Sequence, residues 1–208
     1  MPRITIDIQP EHNTELFFWK IDESIEELTK LIPDSNNILD EALCKFKSEE
    51  RCKEWLATRV LLQSTPYSKC RITYNSNGAP RLTNNSKYIS ISHTKELAAI
   101  AISDIQIGID IEFDERDTSK VVKHFLTEKE CNKVGNNKEE ALRLWTVKEA
   151  AFKLASKNAT VLKDIETEFK GEENGTYIYN IKFPNQKRAI CRTYMTNGLF
   201  ISVSSLQE

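Results

Sequence analysis

The stretch GIDIE, Gly108 to Glu112, limits what this 208-residue chain can fold into more than any other. It reads as an apolar strand, yet it carries carboxylates at alternate positions. In a strand, residues i and i+2 share a face, roughly 6.6 Å apart along the chain. Asp110 and Glu112 therefore point one way, while Ile109 and Ile111 point the other and are expected to plug a core. Like charges about 4 Å apart repel by about 4 kcal/mol at an effective dielectric near 20. The strand must then be either an exposed edge with both acids in water, or a neighbour of a cation. Magnesium takes carboxylate oxygens at about 2.1 Å, which sets them on the order of 3 Å apart, and acids on alternate strand residues can converge that far.

A second motif follows at WTVKEAAFK, Trp145 to Lys153. The spacing predicts a helix, with Glu149 and Lys153 four residues apart on one face, about 6 Å along the axis. One reading is a plain surface pair, since Glu before Lys at this spacing contributes about 0.2–0.5 kcal/mol. The other places Glu149 as a third carboxylate beside Asp110 and Glu112, with Lys153 behind it to meet phosphate oxygens. Three acids and a lysine suit magnesium-dependent phosphoryl-type transfer.

The surrounding pattern is mixed. RITIDI (Arg3 to Ile8), LFFWKI (Leu16 to Ile21), YISISH (Tyr88 to His93), LAAIAIS (Leu97 to Ser103) and GIDIEF read as strands. A helix is expected from Asp22 to Ile32, ended by Pro33 and the turn-rich PDSNN. Helical pattern then runs from Ile38 to Leu62, broken near Ser48, whose SEER resembles a capping box. NSNGAP, Asn75 to Pro80, is a turn by composition. In the second half, helices are expected over Thr118–Phe125, Thr127–Val134 and Lys138–Ser156. Strands follow over Ile165–Phe169, Thr176–Phe183, Ala189–Met195 and Leu199–Ser204.

ISIS in the first half and ISVS in the second faintly echo each other. The expected fold is α+β: two similar halves, residues 1–103 and 104–208, each a small mainly antiparallel sheet with packed helices. The halves should be related by a pseudo-two-fold axis, with a site in the cleft between them.

Hydrophobic residues make up 39% and charged residues 29%, an ordinary globular balance. A net charge of -2 argues against general nucleic-acid affinity, which needs a basic footprint. No stretch has the length and apolarity of a signal peptide or a membrane span. Five scattered cysteines, none in a C-x-x-C pair, suggest neither zinc nor a disulfide framework. A reducing cytoplasm is the natural setting.

With ISISHT upstream, GIDIE and WTVKEAAFK resemble the signature pair of the surfactin-synthetase-type (Sfp-type) 4′-phosphopantetheinyl transferases, G-[IV]-D-[IV]-E and W-[ST]-x-K-E-[AS]-x-x-K. The likeness extends to ATRVLL (Ala57 to Leu62) and NGAPRL, so it touches both halves. That family moves the phosphopantetheine arm of coenzyme A onto a serine of an apo acyl or peptidyl carrier protein, releasing adenosine 3′,5′-bisphosphate.

The resemblance implies that Asp110, Glu112 and Glu149 are magnesium ligands around the diphosphate, with Asp110 also contacting coenzyme A. It implies that Glu149 is the base for the carrier serine and Lys153 the cation on the transferring phosphate and its leaving group. His93 matches a histidine on the 3′-phosphate of coenzyme A, and Arg59 a basic residue reaching the same end. Glu130, in FLTEKE, stands where many members carry an acid near the metal. Where members often read G-K-P, this chain has Gly78-Ala79-Pro80; Arg81 is a candidate substitute for the absent lysine, and the turn backbone is the alternative cradle for adenine or phosphate.

Carriers of this class are acidic and helical, so a docking face should mix apolar and basic groups. SKVVKHFL offers Val121, Val122, Phe125, Lys120 and Lys123; the same pattern also suits an ordinary amphipathic helix facing the core. A two-half chain holds a complete site, so a monomer is expected. The alternatives are a non-catalytic module of the same fold that binds carrier proteins or nucleotides, and a different magnesium enzyme such as a nuclease or phosphatase. Retention of all three acids and Lys153 counts against the first. The lack of basic surface and aromatic platforms counts against the second.

Overall fold

The structure, a computed structural model, describes residues 3–6, 8, 10, 13–33, 37–155 and 161–207. Asp7 of the expected first strand, most of the PDSNN turn and Ser156 of the expected last helix lie outside the described residues. After a two-residue strand β1 (Arg3–Ile4), the first half runs β2 (Glu15–Lys20), α1 (Ile25–Lys30), α2 (Ile38–Lys45) and α3 (Glu49–Gln63). It continues with β3 (Ile72–Tyr74), β4 (Pro80–Leu82), β5 (Tyr88–His93) and β6 (Leu97–Ser103). The second half runs β7 (Ile107–Phe113), α4 (Val122–Phe125), α5 (Glu128–Val134) and α6 (Lys138–Ala155). It closes with β8 (Glu166–Glu173), β9 (Thr176–Lys182), β10 (Arg188–Thr196) and β11 (Leu199–Leu206).

The class is α+β with antiparallel sheets, as expected. The sheet orders are β1-β2-β6-β5 and β7-β11-β10-β9-β8, with β3-β4 a separate hairpin. In both halves the opening strand pairs antiparallel with the closing one: β2 with β6, and β7 with β11. In both, the penultimate strand flanks the closing one. Strand β5 therefore corresponds to β10, not β11. The echo of ISIS (β5) in ISVS (β11) joins strands that are not equivalent, which corrects its use as a sign of the repeat. Those two strands instead lie on either side of β7.

Ser48 caps α3 only in backbone geometry, with no side-chain hydrogen bond. In SEER the third helical residue is Arg51, which cannot accept the cap N–H, so no box forms. Complete boxes occur at Ser24–Glu27 and Thr127–Glu130. The β3–β4 hairpin around NSNGAP was not legible as strands, because ITY and PRL are short and one begins with proline.

Three apolar clusters hold these elements. One packs α1–α3 on the first sheet through Ala98, Ile100 and Ile102, and another packs α4–α6 on the second through Tyr179, Ile181 and Cys191. The third joins Phe18, Ala99 and Ala101 of the first sheet to Ile109, Ile111 and Ile201 of the second. All five cysteines are free thiols. Among the described residues, no helix is long and apolar enough to cross a membrane.

Candidate active site

One edge of β7 pairs with β11, Asp110 opposite Ser202 and Gly108 opposite Ser204. The other edge faces β5, and there no backbone ladder forms. The Ile109 and Ile111 N–H groups donate instead to the hydroxyls of Ser90 (3.0 Å) and Ser92 (3.3 Å). A hydroxyl can accept and donate at once, so it satisfies a buried strand edge and still has a proton to give. The Ser92 hydroxyl donates to Asp110 Oδ1 at 2.8 Å.

Helix α6 crosses β7 at Gly108. A Cβ there would lie 2.0 Å from the Ala150 carbonyl oxygen and 2.8 Å from the Leu154 nitrogen. The first glycine of GIDIE is thus required by contact with the helix backbone. That contact brings Lys153 to the seam: its ammonium donates to Asp110 Oδ1 (2.7 Å), the Ile109 carbonyl (2.9 Å) and Ser92 Oγ (3.0 Å). The surface-pair reading is therefore corrected, since Lys153 bridges Asp110 rather than Glu149.

Asp110 is 5% exposed, and its second oxygen, Oδ2, is buried without a partner. Glu112 is half-buried, and its Oε1 accepts from Arg116 and from Trp145 Nε1 at 3.2 Å. Burial, then the charge of Asp110, push the Glu112 carboxyl up to about 7. The same two causes, in the same order, raise Glu149, against the opposing charges of Lys153 and Arg116.

Among the described residues, no three or more His, Cys, Asp or Glu side chains stand in a metal-holding arrangement. The expected convergence of three carboxylates is not formed. Asp110 is drawn to Lys153 and Glu112 to Arg116, because each acid takes the nearest cation. The residues nevertheless fit magnesium: the donors are hard oxygens, Asp110 keeps a buried oxygen unpaired, and both glutamates are raised by burial and then by the charge of Asp110, which a divalent cation would relieve.

Residues 106–196 match the 4′-phosphopantetheinyl transferase superfamily. The matched segment is less than half of the chain, and it contains Asp110, Glu112, Glu149 and Lys153. No curated protein sequence matches the chain significantly.

Against that superfamily, the cofactor-side residues divide. A cleft of about 380 Å³ is lined by Gly78, Ala79, Arg81, Ser90, Phe152 and Lys153. A second, of about 370 Å³, is lined by Arg51, Glu54, His93, Lys95, Glu112 and Arg116. Arg81 and His93 therefore lie on different clefts, with Lys153 lining the first and Glu112 the second. His93 Nδ1 sits 3.1 Å from Glu54 Oε2, which orients the ring. Burial would raise the Glu54 carboxyl, but the hydrogen bond and charge of His93, helped by Arg51, hold it below its ordinary value.

Arg59 is turned into the first half's core. Its guanidinium donates to the Trp55 carbonyl (2.9 Å) and Thr58 Oγ1 (3.1 Å) and stacks on the Trp55 ring at 3.3 Å. It lines neither of these two clefts, and its second amino group reaches the hydroxyl of exposed Tyr74 on β3 at 3.5 Å. Glu130 closes the α5 capping box, accepts from Thr167 at 2.7 Å and pairs with the fully buried Lys148 at 2.7 Å. Those contacts make it a brace between α5, α6 and β8.

The expected docking segment divides between its two readings. Phe125 and Leu126 are buried, and Val121 and Val122 pack on the core, leaving Ser119, Lys120, Lys123 and His124 exposed. Ser90, Ser92, Trp145 and Arg116 escaped the sequence reading. Alternating serines in ISIS were a usable signal, as was an arginine four residues beyond Glu112.

Proposed function

We propose that this protein is an Sfp-type transferase that moves 4′-phosphopantetheine from coenzyme A to a serine of an apo acyl or peptidyl carrier protein, with magnesium. The observation that carries this reading is the meeting of Asp110, Ser92 and Lys153 at the junction of the halves, inside the segment that matches the superfamily. Residues 1–103 are assigned the coenzyme A side, with His93 and Arg81, and residues 104–208 the catalytic side.

Asp110, Glu112 and Glu149 would hold the cation. When bound, magnesium neutralises the diphosphate charge. Glu149, raised by burial and Asp110, is a stronger base than an ordinary carboxylate and takes the proton of the carrier serine. The serine oxygen bonds to the β-phosphorus as the bond to the oxygen of adenosine 3′,5′-bisphosphate breaks. Lys153 lies in the first cleft to meet charge on that leaving oxygen, exchanging its Ser92 or Ile109 contact for phosphate.

Incubating the protein with coenzyme A, magnesium and a panel of apo carriers, read by intact mass, should show the added arm. Glu149→Gln should lower the rate about 10²–10⁴-fold with an unchanged far-UV spectrum. Near-normal turnover in that variant would remove Glu149 from the role. Wild-type protein that binds carriers yet modifies none would favour the non-catalytic module.

A further inference from the structure

Glu112 is held on one oxygen only, Oε1, by the two donors Arg116 and Trp145. The Arg116 guanidinium also lies over the Trp145 ring, 4.6 Å from its centroid. Trp145 is itself fixed, packed edge-on against buried Phe125 at 5.0 Å. The ring is therefore packed in place, while the arginine is the more open member of the pair: its side chain is 41% exposed, against 12% for Glu112. Both line the second cleft, open to an incoming ion.

An arginine cannot release its proton, so it leaves a carboxylate only by moving away. Here it supplies positive charge where Asp110 and Glu112 share a face, and its charge also reaches Glu149. Resting on the magnesium-dependent reading above, we propose that Arg116 is a tethered counter-ion of Glu112, displaced when a divalent cation binds. It would keep the cation-free site from being held apart by repulsion, at the expense of cation affinity. This makes Arg116 a positioning residue rather than a catalytic one.

Manganese affinity of the full-length protein, measured by calorimetry and electron paramagnetic resonance with and without coenzyme A, tests this. Arg116→Gln should bind Mn²⁺ about fivefold more tightly, the scale of losing a partly exposed ion pair. Arg116→Lys, which keeps the charge, should fall nearer to wild type. In a Glu112→Gln background, where Arg116 has lost its ion-pair partner and acts only through its charge on Glu149, Arg116→Gln should give a clearly smaller gain than in the wild-type background, an outcome that a merely structural arginine would not produce. Equal or weaker binding by Arg116→Gln overturns the proposal, and if wild type still transfers the arm, only the counter-ion role falls. Absence of Mn²⁺ binding in every variant overturns both the proposal and the metal-dependent reading.

Discussion

The two halves share an order of elements but use their long helices differently. Helix α3 packs on the first sheet and α6 on the second, and each carries a cation near its C-terminal end. In α3, Arg59 turns back into its own half and stacks on Trp55. In α6, Lys153 crosses to the junction and joins Asp110 of β7 to Ser92 of β5. The difference follows from the crossing point. Gly108 lets α6 approach the strand edge to backbone contact, so a side chain four residues on from Glu149 reaches across the seam. One arrangement serves a scaffold and the other a site, and neither spacing nor residue type reveals which.

Four substitutions or titrations press on that comparison, the largest effect first. Lys153→Met should lower transfer about 10²–10³-fold, as removal of a charge-stabilising donor does, while Arg59→Met leaves the rate within a few-fold. Equal losses of rate in the two would erase the distinction between site and scaffold. Gly108→Ala should force α6 off β7 and cost about 3 kcal/mol or more in chemical denaturation, since a Cβ 2.0 Å from a backbone oxygen cannot be accommodated by side-chain motion. A wild-type midpoint would show that the helix contact is not needed.

Arg59→Met should destabilise by about 1–3 kcal/mol, from its lost buried hydrogen bonds and ring stacking, read by thermal and urea melts. The most gradual effect is in pH. The Glu112 carboxyl is raised from 4.5 to about 7 on folding. Between those values the unfolded chain is ionised and the native one protonated, so the metal-free protein loses stability as pH rises through that window. The slope is on the order of 1 kcal/mol per pH unit at its steepest. Melts in a chelating buffer should show it, and Glu112→Gln should flatten it; an unchanged slope would assign the titration elsewhere.

The strands of the seam were legible. YISISH and LAAIAIS coincide with β5 and β6, because continuous apolar character bounded by turns allows little else. The placement of Ile109 and Ile111 in a core opposite Asp110 also followed from strand alternation alone. Legibility failed where a residue type has two uses. Phe125 suits a docking face as well as a core, and only packing against Trp145 decides. Glu130 suits a metal ligand as well as a cap, and only the neighbouring Lys148 shows which contacts it makes.

What the chain order settled by itself was local: the pleat that puts two acids on one face, the helix that carries Glu149 and Lys153, and the α+β class. Those follow from periods of two and 3.6 residues, which need no knowledge of neighbours. What only the three-dimensional packing settled was pairing between elements distant in sequence. Which cation meets which acid depends on how closely α6 approaches β7. Likewise, only the packing of β5 beside β7 shows that this edge of β7 is satisfied by serine hydroxyls rather than by a backbone ladder.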